Sequence, residues 1–346
     1  MKEKNFNDWV KKRQEHFKRM SPSELFDGII KGNRTALSSG ITLIESQNLN
    51  HRVDSNELVQ KCLSHAGKSI RIGITGVPGV GKSTFIEAFG KILLKKGKKI
   101  AVLAVDPSSS VSGGSILGDK TRMHVLSAEK NAFIRPSPAG DTLGGVTRKT
   151  RETIILCEAA GFDVILIETV GVGQSETMVK SMVDFFLLLM LSGAGDELQG
   201  IKKGIMEMAD ALIITKADGD NVIKAKLAAR EYKNAMHLFP PNKNNWIPQV
   251  EICSSIDNTG VEGVFDIIEE FKEQVYDNGF FEGNRIEQDK MWLTDTLKEL
   301  LLSDFFSDAK MLAELKELKN KVAKNELSSY QAAEKIYQFY RNERRI

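Results

Sequence analysis

The sequence IRIGITGVPGVGKST, residues 70–84, decides the fold because an apolar run leads directly into a glycine-rich loop. The loop reads G-x-x-x-x-G-K-[ST], and the residues after it predict a helix over 82–97. Glycines in this strand–loop–helix context let successive backbone N–H groups point at phosphate oxygens, and the helix start adds its positive dipole. The predicted phosphate-binding residues are Gly76, Val77, Pro78, Gly79, Val80, Gly81, Lys82, Ser83 and Thr84.

A metal site is expected beside this loop. Lys82 should neutralise the β- and γ-phosphates, and the Ser83 hydroxyl should bind Mg²⁺. Two apolar runs end on carboxylates, IAVLAVD on Asp106 and DVILIE on Glu168. Ligands gather at the carboxyl ends of strands in such sheets, so both carboxylates can serve the metal, directly or through water. Gly171 follows Glu168 at the spacing where a switch glycine would meet the γ-phosphate.

The base is predicted to be guanine. Thr215, Lys216 and Asp218 end another strand and form a [NT]-K-x-D pattern, in which the aspartate accepts hydrogen bonds from guanine N1 and N2. Adenine lacks that pair of donors and would leave the aspartate unpaired, so the pattern favours GTP over ATP. A backbone N–H from Ser254, Ser255 or Ile256, after the next strand, could bind guanine O6.

Seven short apolar runs alternate with amphipathic stretches between residues 67 and 278. Nearly continuous hydrophobic strands separated by helices predict an α/β fold with a mostly parallel, Rossmann-like P-loop sheet covered on both faces. The stretch FPPNKNNWIP (239–248) predicts an exposed loop, and MVDFFLLLML (182–191) a buried strand. The runs are 70–75, 100–105, 132–135, 163–168, 185–191, 211–215 and 249–253.

Helical extensions are expected on both sides of this domain, over residues 1–66 and 279–346. Leu37, Ile41 and Ile44 recur at helical spacing in the first. In the second, Glu317 precedes Lys321 by four residues on the polar side of a helix. Such arms bury little alone, so they pack on the core or form a homodimer, and we favour the homodimer. The apolar face of that helix is predicted to consist of Leu312, Leu315, Leu318 and Val322.

Composition limits the partners and the compartment. The 346 residues are 41% hydrophobic and 27% charged, as in ordinary globular proteins. Lys+Arg 48 against Asp+Glu 46 gives no reason to expect a nucleic-acid or membrane partner. Three widely separated cysteines fit a reducing compartment, and no signal peptide is evident. We expect a cytoplasmic protein, or one in an organelle matrix if a transit peptide has been removed.

Four long stretches carry a family resemblance: AVDPSSSVSGGSILGDKTRM (104–123), IRPSPAGDTLGGVTRKT (134–150), IETVGVGQSE (167–176) and SGAGDELQGIKKGIMEMAD (192–210). Together they resemble the MeaB/ArgK family across nearly the whole chain. The resemblance implies a P-loop GTPase of the SIMIBI class that acts as a chaperone of an adenosylcobalamin-dependent acyl-CoA mutase, such as methylmalonyl-CoA mutase. In this family GTP hydrolysis to GDP gates cofactor loading and supports mutase protection and reactivation, and homodimers form through the C-terminal arm.

The same resemblance assigns further residues. Ser83, Asp106 and Glu168 would surround Mg²⁺, and Asp119 would approach the metal from a first mobile segment. Residues 192–204 would form a third switch that contacts the mutase; their four glycines and polar side chains are suited to two discrete arrangements. Its polar members are Asp196, Glu197, Gln199, Lys202 and Lys203.

Catalysis is expected to be slow in the chain alone and faster with the mutase. Gln174 is a candidate for orienting the attacking water, and no arginine is obviously placed to stabilise the transition state. Thr215 stands where the family usually has Asn, so loss of the amide tether to the P-loop predicts weaker guanine binding. Ser255 replaces a common Ala, which should be harmless because the backbone N–H reads the base.

Two other functions compete. A kinase acting on a basic-amino-acid transport system would transfer the phosphate to protein rather than to water. A nickel-delivery GTPase would usually carry His-rich or Cys-rich storage sequence, and this chain has none. The chain also lacks a D-x-H-x-x-G cobalamin motif, so cobalamin should belong to the partner or to a shared interface.

Overall fold

The structure is a computed structural model that describes residues 20–46, 48, 50–105, 123–136, 143–169, 175–193, 203–239, 242 and 244–344. For residues 143–145, 175 and 203 it describes the backbone alone. The chain divides into two compact units, one ending at Arg285 and the other beginning at Ile286.

Strands and helices alternate through the first unit, as the apolar runs predict. The described strands are β1 Ile70–Gly76, β2 Ile100–Val105, β3 Ala132–Arg135, β4 Val164–Thr169, β5 Phe185–Leu191, β6 Ala211–Thr215 and β7 Gln249–Ile252. The described helices are α1 Pro22–Ile30, α2 Arg34–Glu45, α3 His51–Leu63, α4 Lys82–Lys95, α5 His124–Ala128, α6 Leu143–Ala159, α7 Ser175–Lys180, α8 Lys203–Met208, α9 Val222–Met236, α10 Val261–Asp277, α11 Phe280–Ser307, α12 Ala309–Ala323 and α13 Ser329–Glu343. A 3₁₀ turn at Gly219–Asn221 precedes α9.

All seven strands form one parallel sheet in the order β3-β2-β4-β1-β5-β6-β7. The predicted α/β class is therefore confirmed, and each apolar run is a strand to within one residue at its ends. Parallel pairing puts every carboxyl end at one edge of the sheet. The P-loop strand β1 lies between β4 and β5, so the phosphate loop leaves the middle of that edge.

Both faces of the sheet are covered, which explains the continuous hydrophobic strands. On one face Ile72 and Leu187 share a core with Phe85 and Phe89 of α4. On the other face the next residue of β5, Leu188, packs with residues of α9. Successive strand side chains point to opposite faces, so a strand covered on both sides must be apolar at every position.

The helices before the sheet bury the face that the sequence predicts. Leu37, Ile41 and Ile44 of α2 are all buried. Asn33 caps this helix by accepting hydrogen bonds from two backbone N–H groups, which satisfies donors that a helix start leaves unpaired. Arg135 at the end of β3 forms an ion pair with Glu45, so α2 is tied to the edge strand of the sheet.

In the second unit, α12 and α13 form a small core of their own around Leu318, Ala332 and Ile336. Leu315 and Val322 pack against this core as predicted, and Lys321 Nζ lies 2.6 Å from Glu317 Oε1. Leu312 is an exception: it is 46% exposed, because its position on α12 falls outside the face that meets α13.

Two further expectations need correction. In the stretch 239–248, Trp246 is buried rather than exposed, and its indole N–H donates to the Asp210 carbonyl oxygen at 2.8 Å. A tryptophan provides enough apolar surface to pull a Pro- and Asn-rich segment onto the core. In the stretch 182–191, the strand begins only at Phe185, because residues 181 and 182 form a turn. Just before the strand, the Asp184 carboxylate accepts a hydrogen bond from the backbone N–H of Arg71 at 2.8 Å.

A buried ion-pair cluster lies at the amino edge of the sheet, opposite the phosphate loop. Arg71 forms two 3.0 Å hydrogen bonds with the Glu158 carboxylate, and Arg285 Nη2 lies 2.7 Å from Asp184 Oδ2. Burial alone would raise the pKa of Glu158, but Arg71 and Arg285 outweigh it and hold the pKa below its usual range. The cluster fixes the starts of β1 and β5.

We expect Glu158→Gln to lower the free energy of unfolding at neutral pH by about 2 kcal/mol, because charge-assisted hydrogen bonds are lost. The folded-state pKa is depressed, so this stabilisation is present above the ordinary carboxyl pKa and disappears as pH falls through the folded pKa. Urea denaturation from neutral to acidic pH should therefore show the deficit shrinking. The control Glu57→Gln, on an exposed pair with Lys61, should change stability by less than about 0.5 kcal/mol.

Candidate nucleotide-binding site

The phosphate loop runs from the end of β1 to the start of α4. Gly79 and Gly81 have φ angles of 81° and 94°, in the left-handed region that favours glycine. The Val80 side chain between them is buried, which anchors the loop to the core. The arrangement presents backbone N–H groups and the start of a 14-residue helix to the same space, as a polyphosphate site requires.

Lys82 is held over this loop. Its ammonium donates to the Gly76 carbonyl oxygen at 2.7 Å and approaches that of Val77 at 3.4 Å. Burial lowers the pKa of Lys82 below its ordinary value, while the carboxylates of Glu168 and Glu176 act in the opposite direction. Of these two carboxylates, Glu168 was expected at the site from the sequence, whereas Glu176 was not.

Ser83 and Glu168 are brought together. The Ser83 hydroxyl donates to Glu168 Oε1 at 3.1 Å, and Glu168 is 8% exposed at the end of β4. A hydroxyl and a carboxylate are the hard oxygen donors that Mg²⁺ prefers, so the two residues fit the predicted metal. Among the described residues no group of three or more His, Cys, Asp or Glu forms a denser metal site.

A pair of threonines that was not predicted from the sequence joins the strands behind this site. Thr169 Oγ1 donates to Thr75 Oγ1 at 2.8 Å, and both residues are buried. The bond fastens the last residue of β4 to β1 just before the phosphate loop. Threonine is common in strands, so only the pairing of β1 with β4 reveals that these two hydroxyls meet.

The predicted base-binding residues also meet. The Ser254 hydroxyl donates to Asp218 Oδ2 at 2.9 Å, and the backbone N–H of Ala217 donates to the Cys253 carbonyl oxygen at 3.0 Å. Lys216 is exposed with a φ of 56°, a left-handed conformation that is uncommon outside glycine. The loops after β6 and β7 therefore form one unit that aims a carboxylate at the carboxyl edge of the sheet.

The structure reduces the number of backbone N–H groups that could bind guanine O6. The N–H of Ser254 already donates to the Thr259 carbonyl oxygen at 2.9 Å, so this group is not available for the base. The N–H groups of Ser255 and Ile256 remain as candidates, and that of Ile256 also contacts the Ser254 hydroxyl at 3.3 Å. If Ser255 binds the base, the contact is expected through its backbone N–H, so its side chain should matter little.

The expected loss of a tether at Thr215 is wrong. Thr215 Oγ1 donates to the carbonyl oxygen of Val80 at 2.8 Å and lies 3.2 Å from that of Met190. The buried hydroxyl therefore still joins the base-binding loop to the phosphate loop. A threonine hydroxyl is shorter than an amide, and it reaches because β6 and the phosphate loop lie close together here.

We expect Thr215→Val to lower the free energy of unfolding by about 1–3 kcal/mol and to weaken binding of GDP and GTP alike, because the Val80 carbonyl oxygen loses a buried donor. Valine keeps the shape and the strand propensity. Chemical denaturation and calorimetric titration would measure the two effects. The exposed helix residue Thr294 provides the control: Thr294→Val should leave both quantities nearly unchanged, and equal effects at the two positions would contradict the tether.

Asn221 adds a second link to the base-binding loop, which was not predicted from the sequence. Its amide nitrogen donates to the Lys216 carbonyl oxygen at 2.7 Å, and its amide oxygen accepts from the Ser192 hydroxyl at 2.7 Å. Ser192 follows β5 directly and is the first residue of the expected third switch. The base-binding loop is thus joined to the start of that segment.

Several predicted residues lie outside the described part of the chain: Asp106, Asp119, Gly171, Gln174, Asp196, Glu197, Gln199 and Lys202. Lys203 is the first residue of α8, described by its backbone alone. The functional assignments of these nine residues stay predictions.

Comparison with known proteins shows which family this chain resembles. A family model described as "Methylmalonyl Co-A mutase-associated GTPase MeaB" matches residues 37–310. The mouse protein "Methylmalonic aciduria type A homolog, mitochondrial" is 44% identical over 328 residues, which is 92% of this chain and 79% of that protein. "GTPase ArgK" of Escherichia coli K12 is 45% identical over 278 residues, 80% of this chain and 84% of that protein.

A solved structure has the same architecture. The crystal structure of an "LAO/AO transport system kinase" is 35% identical and superposes with a TM-score of 0.74 over 92% of this chain and 97% of that one. Across the described residues, none of the helices has the length and apolar character needed to span a bilayer.

Proposed function

Because the chain belongs to the MeaB family of methylmalonyl-CoA-mutase-associated GTPases, we propose that it binds Mg²⁺·GTP at this site and hydrolyses it to GDP and phosphate. One observation carries the proposal most directly: a phosphate loop with Ser83 against Glu168 and a base loop with Ser254 against Asp218 occupy the same edge of one sheet. Parallel-sheet proteins bind ligands at this edge.

Each side chain has a distinct part in this reaction. Lys82 would leave the Gly76 carbonyl oxygen and bind the β- and γ-phosphate oxygens. Ser83 and Glu168 would hold Mg²⁺, which neutralises phosphate charge when bound. Asp218 would accept from guanine N1 and N2, and Thr215 would keep the base and phosphate loops in register. Gln174 remains the candidate for orienting water, and the expected turnover without a partner is slow.

The client that we propose is an adenosylcobalamin-dependent acyl-CoA mutase. Nucleotide state would gate loading of the cofactor into the mutase and its protection or reactivation. The family description and the mouse relative support this role. The proposal also includes a cytoplasmic homodimer formed through the C-terminal helices, whose α11 exposes Leu293, Leu297 and Leu301.

Steady-state phosphate release with GTP, with and without a candidate mutase, tests the proposal. We expect a slow rate that rises at least about tenfold with the cognate mutase, because the partner orders the catalytic segments. Lys82→Ala should abolish phosphate release both with and without the mutase. Any phosphate release that remains with this variant then comes from contaminating enzymes. Equal rates with and without every acyl-CoA mutase tested would contradict gating, while hydrolysis itself would stand.

The similarity to a structure described as a transport-system kinase keeps a second candidate open. In that case the γ-phosphate of GTP would end on a protein acceptor. Incubation with γ-labelled nucleotide separates the two: label released as inorganic phosphate supports the GTPase, and label retained on protein supports the kinase.

A further inference from the structure

Helix α7 packs unusually closely on the phosphate-loop strand. A Cβ atom added at Gly73, in the middle of β1, would lie 2.9 Å from Val179 Cγ1 and 2.9 Å from Phe186 Cδ2. Contacts that short do not occur, so only glycine allows Val179 of α7 to approach here. The Val179 side chain is buried, and α7 is therefore fixed against β1 at this point.

Glu176 lies one helical turn before Val179 and shares its face, because residues three apart on a helix are neighbours. Strand β4 ends at the phosphate edge of the sheet, and α7 begins six residues later, at 175. Since Val179 meets the middle of β1, Glu176 lies toward the end of β1 that carries the phosphate loop. Glu176 is only 2% exposed.

Lys82 provides a cation at this end of β1. Its ammonium has three donors and contacts the Gly76 and Val77 carbonyl oxygens. Both Glu168 and Glu176 act on it electrostatically. Glu168 already has a partner in Ser83 and belongs to the expected metal site. Glu176 is the second carboxylate, and it is attached to the helix that directly follows segment 170–174.

We propose that Glu176 competes with the terminal phosphate of the nucleotide for Lys82, and that α7 thereby responds to the presence of that phosphate. This inference rests on the proposed function. In the absence of a γ-phosphate, the attraction between Lys82 and Glu176 holds α7 on β1. When a triphosphate binds, Lys82 turns to the γ-phosphate, and the buried Glu176 faces added negative charge.

A simpler role would be that of an acidic residue favoured in the first turn of a helix. Such residues interact with the helix start at the surface, whereas Glu176 is almost completely buried. Burying a carboxylate is costly unless a cation or hydrogen bonds compensate. Its position on the face of α7 that meets β1, toward the end of the strand where the half-buried Lys82 contacts the Gly76 carbonyl oxygen, favours a role linked to Lys82.

The test compares dissociation constants for GDP and for a non-hydrolysable GTP analogue, both with Mg²⁺, by calorimetry. Glu176→Gln removes the charge with little change in shape and should raise the preference for the triphosphate about tenfold. Glu176→Asp keeps the charge and should stay within about twofold of wild type. The control Glu87→Gln, on α4 and paired with Lys91, should also match wild type.

Hydrogen exchange of the α7 amides gives a second readout. In wild type, exchange should be faster with the GTP analogue than with GDP, and in Glu176→Gln the difference should disappear. An unchanged triphosphate preference in Glu176→Gln would overturn the inference. So would equal weakening of both nucleotides in the Gln and Asp variants, because that result indicates a purely structural role.

The same measurements distinguish failure of the proposed function from failure of the Glu176 inference. If wild type binds ATP as tightly as GTP, guanine selectivity fails, and the same comparison with ADP and an ATP analogue still tests Glu176. If wild type binds GTP and Glu176→Gln leaves the preference unchanged, only the Glu176 inference fails. If wild type binds no nucleoside triphosphate at all, both are overturned.

Discussion

Asp218→Asn should weaken GTP and GDP binding about 100-fold, equivalent to about 3 kcal/mol, while leaving any weak ATP binding unchanged. The wild-type carboxylate can accept two hydrogen bonds from the guanine N1 and N2 donors, whereas asparagine offers one acceptor and places a donor opposite N2. Ser254 Oγ donates to Asp218 Oδ2 at 2.9 Å and holds the carboxylate in place. Titration calorimetry with the four nucleotides measures the change.

Complementary chemistry provides a rescue for this variant. Xanthine carries a carbonyl where guanine carries the 2-amino group, so an asparagine can accept from N1 and donate to that carbonyl. Asp218→Asn should therefore bind xanthosine nucleotides better than guanosine nucleotides. Asp220→Asn, two residues away in an exposed turn, is the matched control and should bind GTP like wild type. Normal GTP binding by Asp218→Asn would refute the assignment of the base site.

Gly76→Ala should lower the free energy of unfolding by about 3 kcal/mol and abolish nucleotide binding, because overpacking against backbone has no flexible neighbour to relieve it. A Cβ at this position would lie 2.4 Å from the Leu189 carbonyl oxygen of β5. The clash falls at the last residue of β1, where the phosphate loop begins, so any relief must move the loop. Urea denaturation and nucleotide titration measure the two losses.

Gly79→Ala is the matched comparison within the same loop. A Cβ there would meet no described protein atom within 4 Å, although φ is 81°. We expect only the strain of a left-handed alanine, about 1 kcal/mol in the free energy of unfolding. Equal destabilisation at both positions would mean that backbone conformation, rather than contact with β5, sets the requirement for glycine at Gly76.

The sheet could be predicted from the sequence because its physical cause is local. Strands covered on both faces must be apolar at every position, so a continuous apolar run such as 185–191 can be recognised as a strand from the sequence alone. The phosphate loop can be recognised equally well, since its three glycines and its lysine all lie between Gly76 and Lys82. The meeting of Ser83 with Glu168 followed from one rule, that parallel strands end at a common edge.

Other features depend on distances that no pattern encodes. The Thr215 hydroxyl reaches Val80 only because two loops approach closely, so a comparison of residue types predicted the wrong outcome. Trp246 belongs to a segment whose composition is typical of a loop, yet its ring finds a place in the core. Glu176 resembles an ordinary acidic residue at a helix start until the contact of Val179 with Gly73 shows where its face points.

The position of β1 between β4 and β5 has a thermodynamic consequence. Strand β5 leads into residues 192–204, which are expected to contact the mutase, and β4 leads into the stretch that carries Gly171 and Gln174, the candidates for meeting the γ-phosphate and the attacking water. A nucleotide on the phosphate loop would lie between the ends of these two strands. Linkage is reciprocal, so if the nucleotide changes the affinity of a partner for either stretch, that partner must change the affinity of the nucleotide by the same factor. A client protein bound to one stretch would then influence the other stretch without touching it, because both stretches would adjoin the same bound nucleotide.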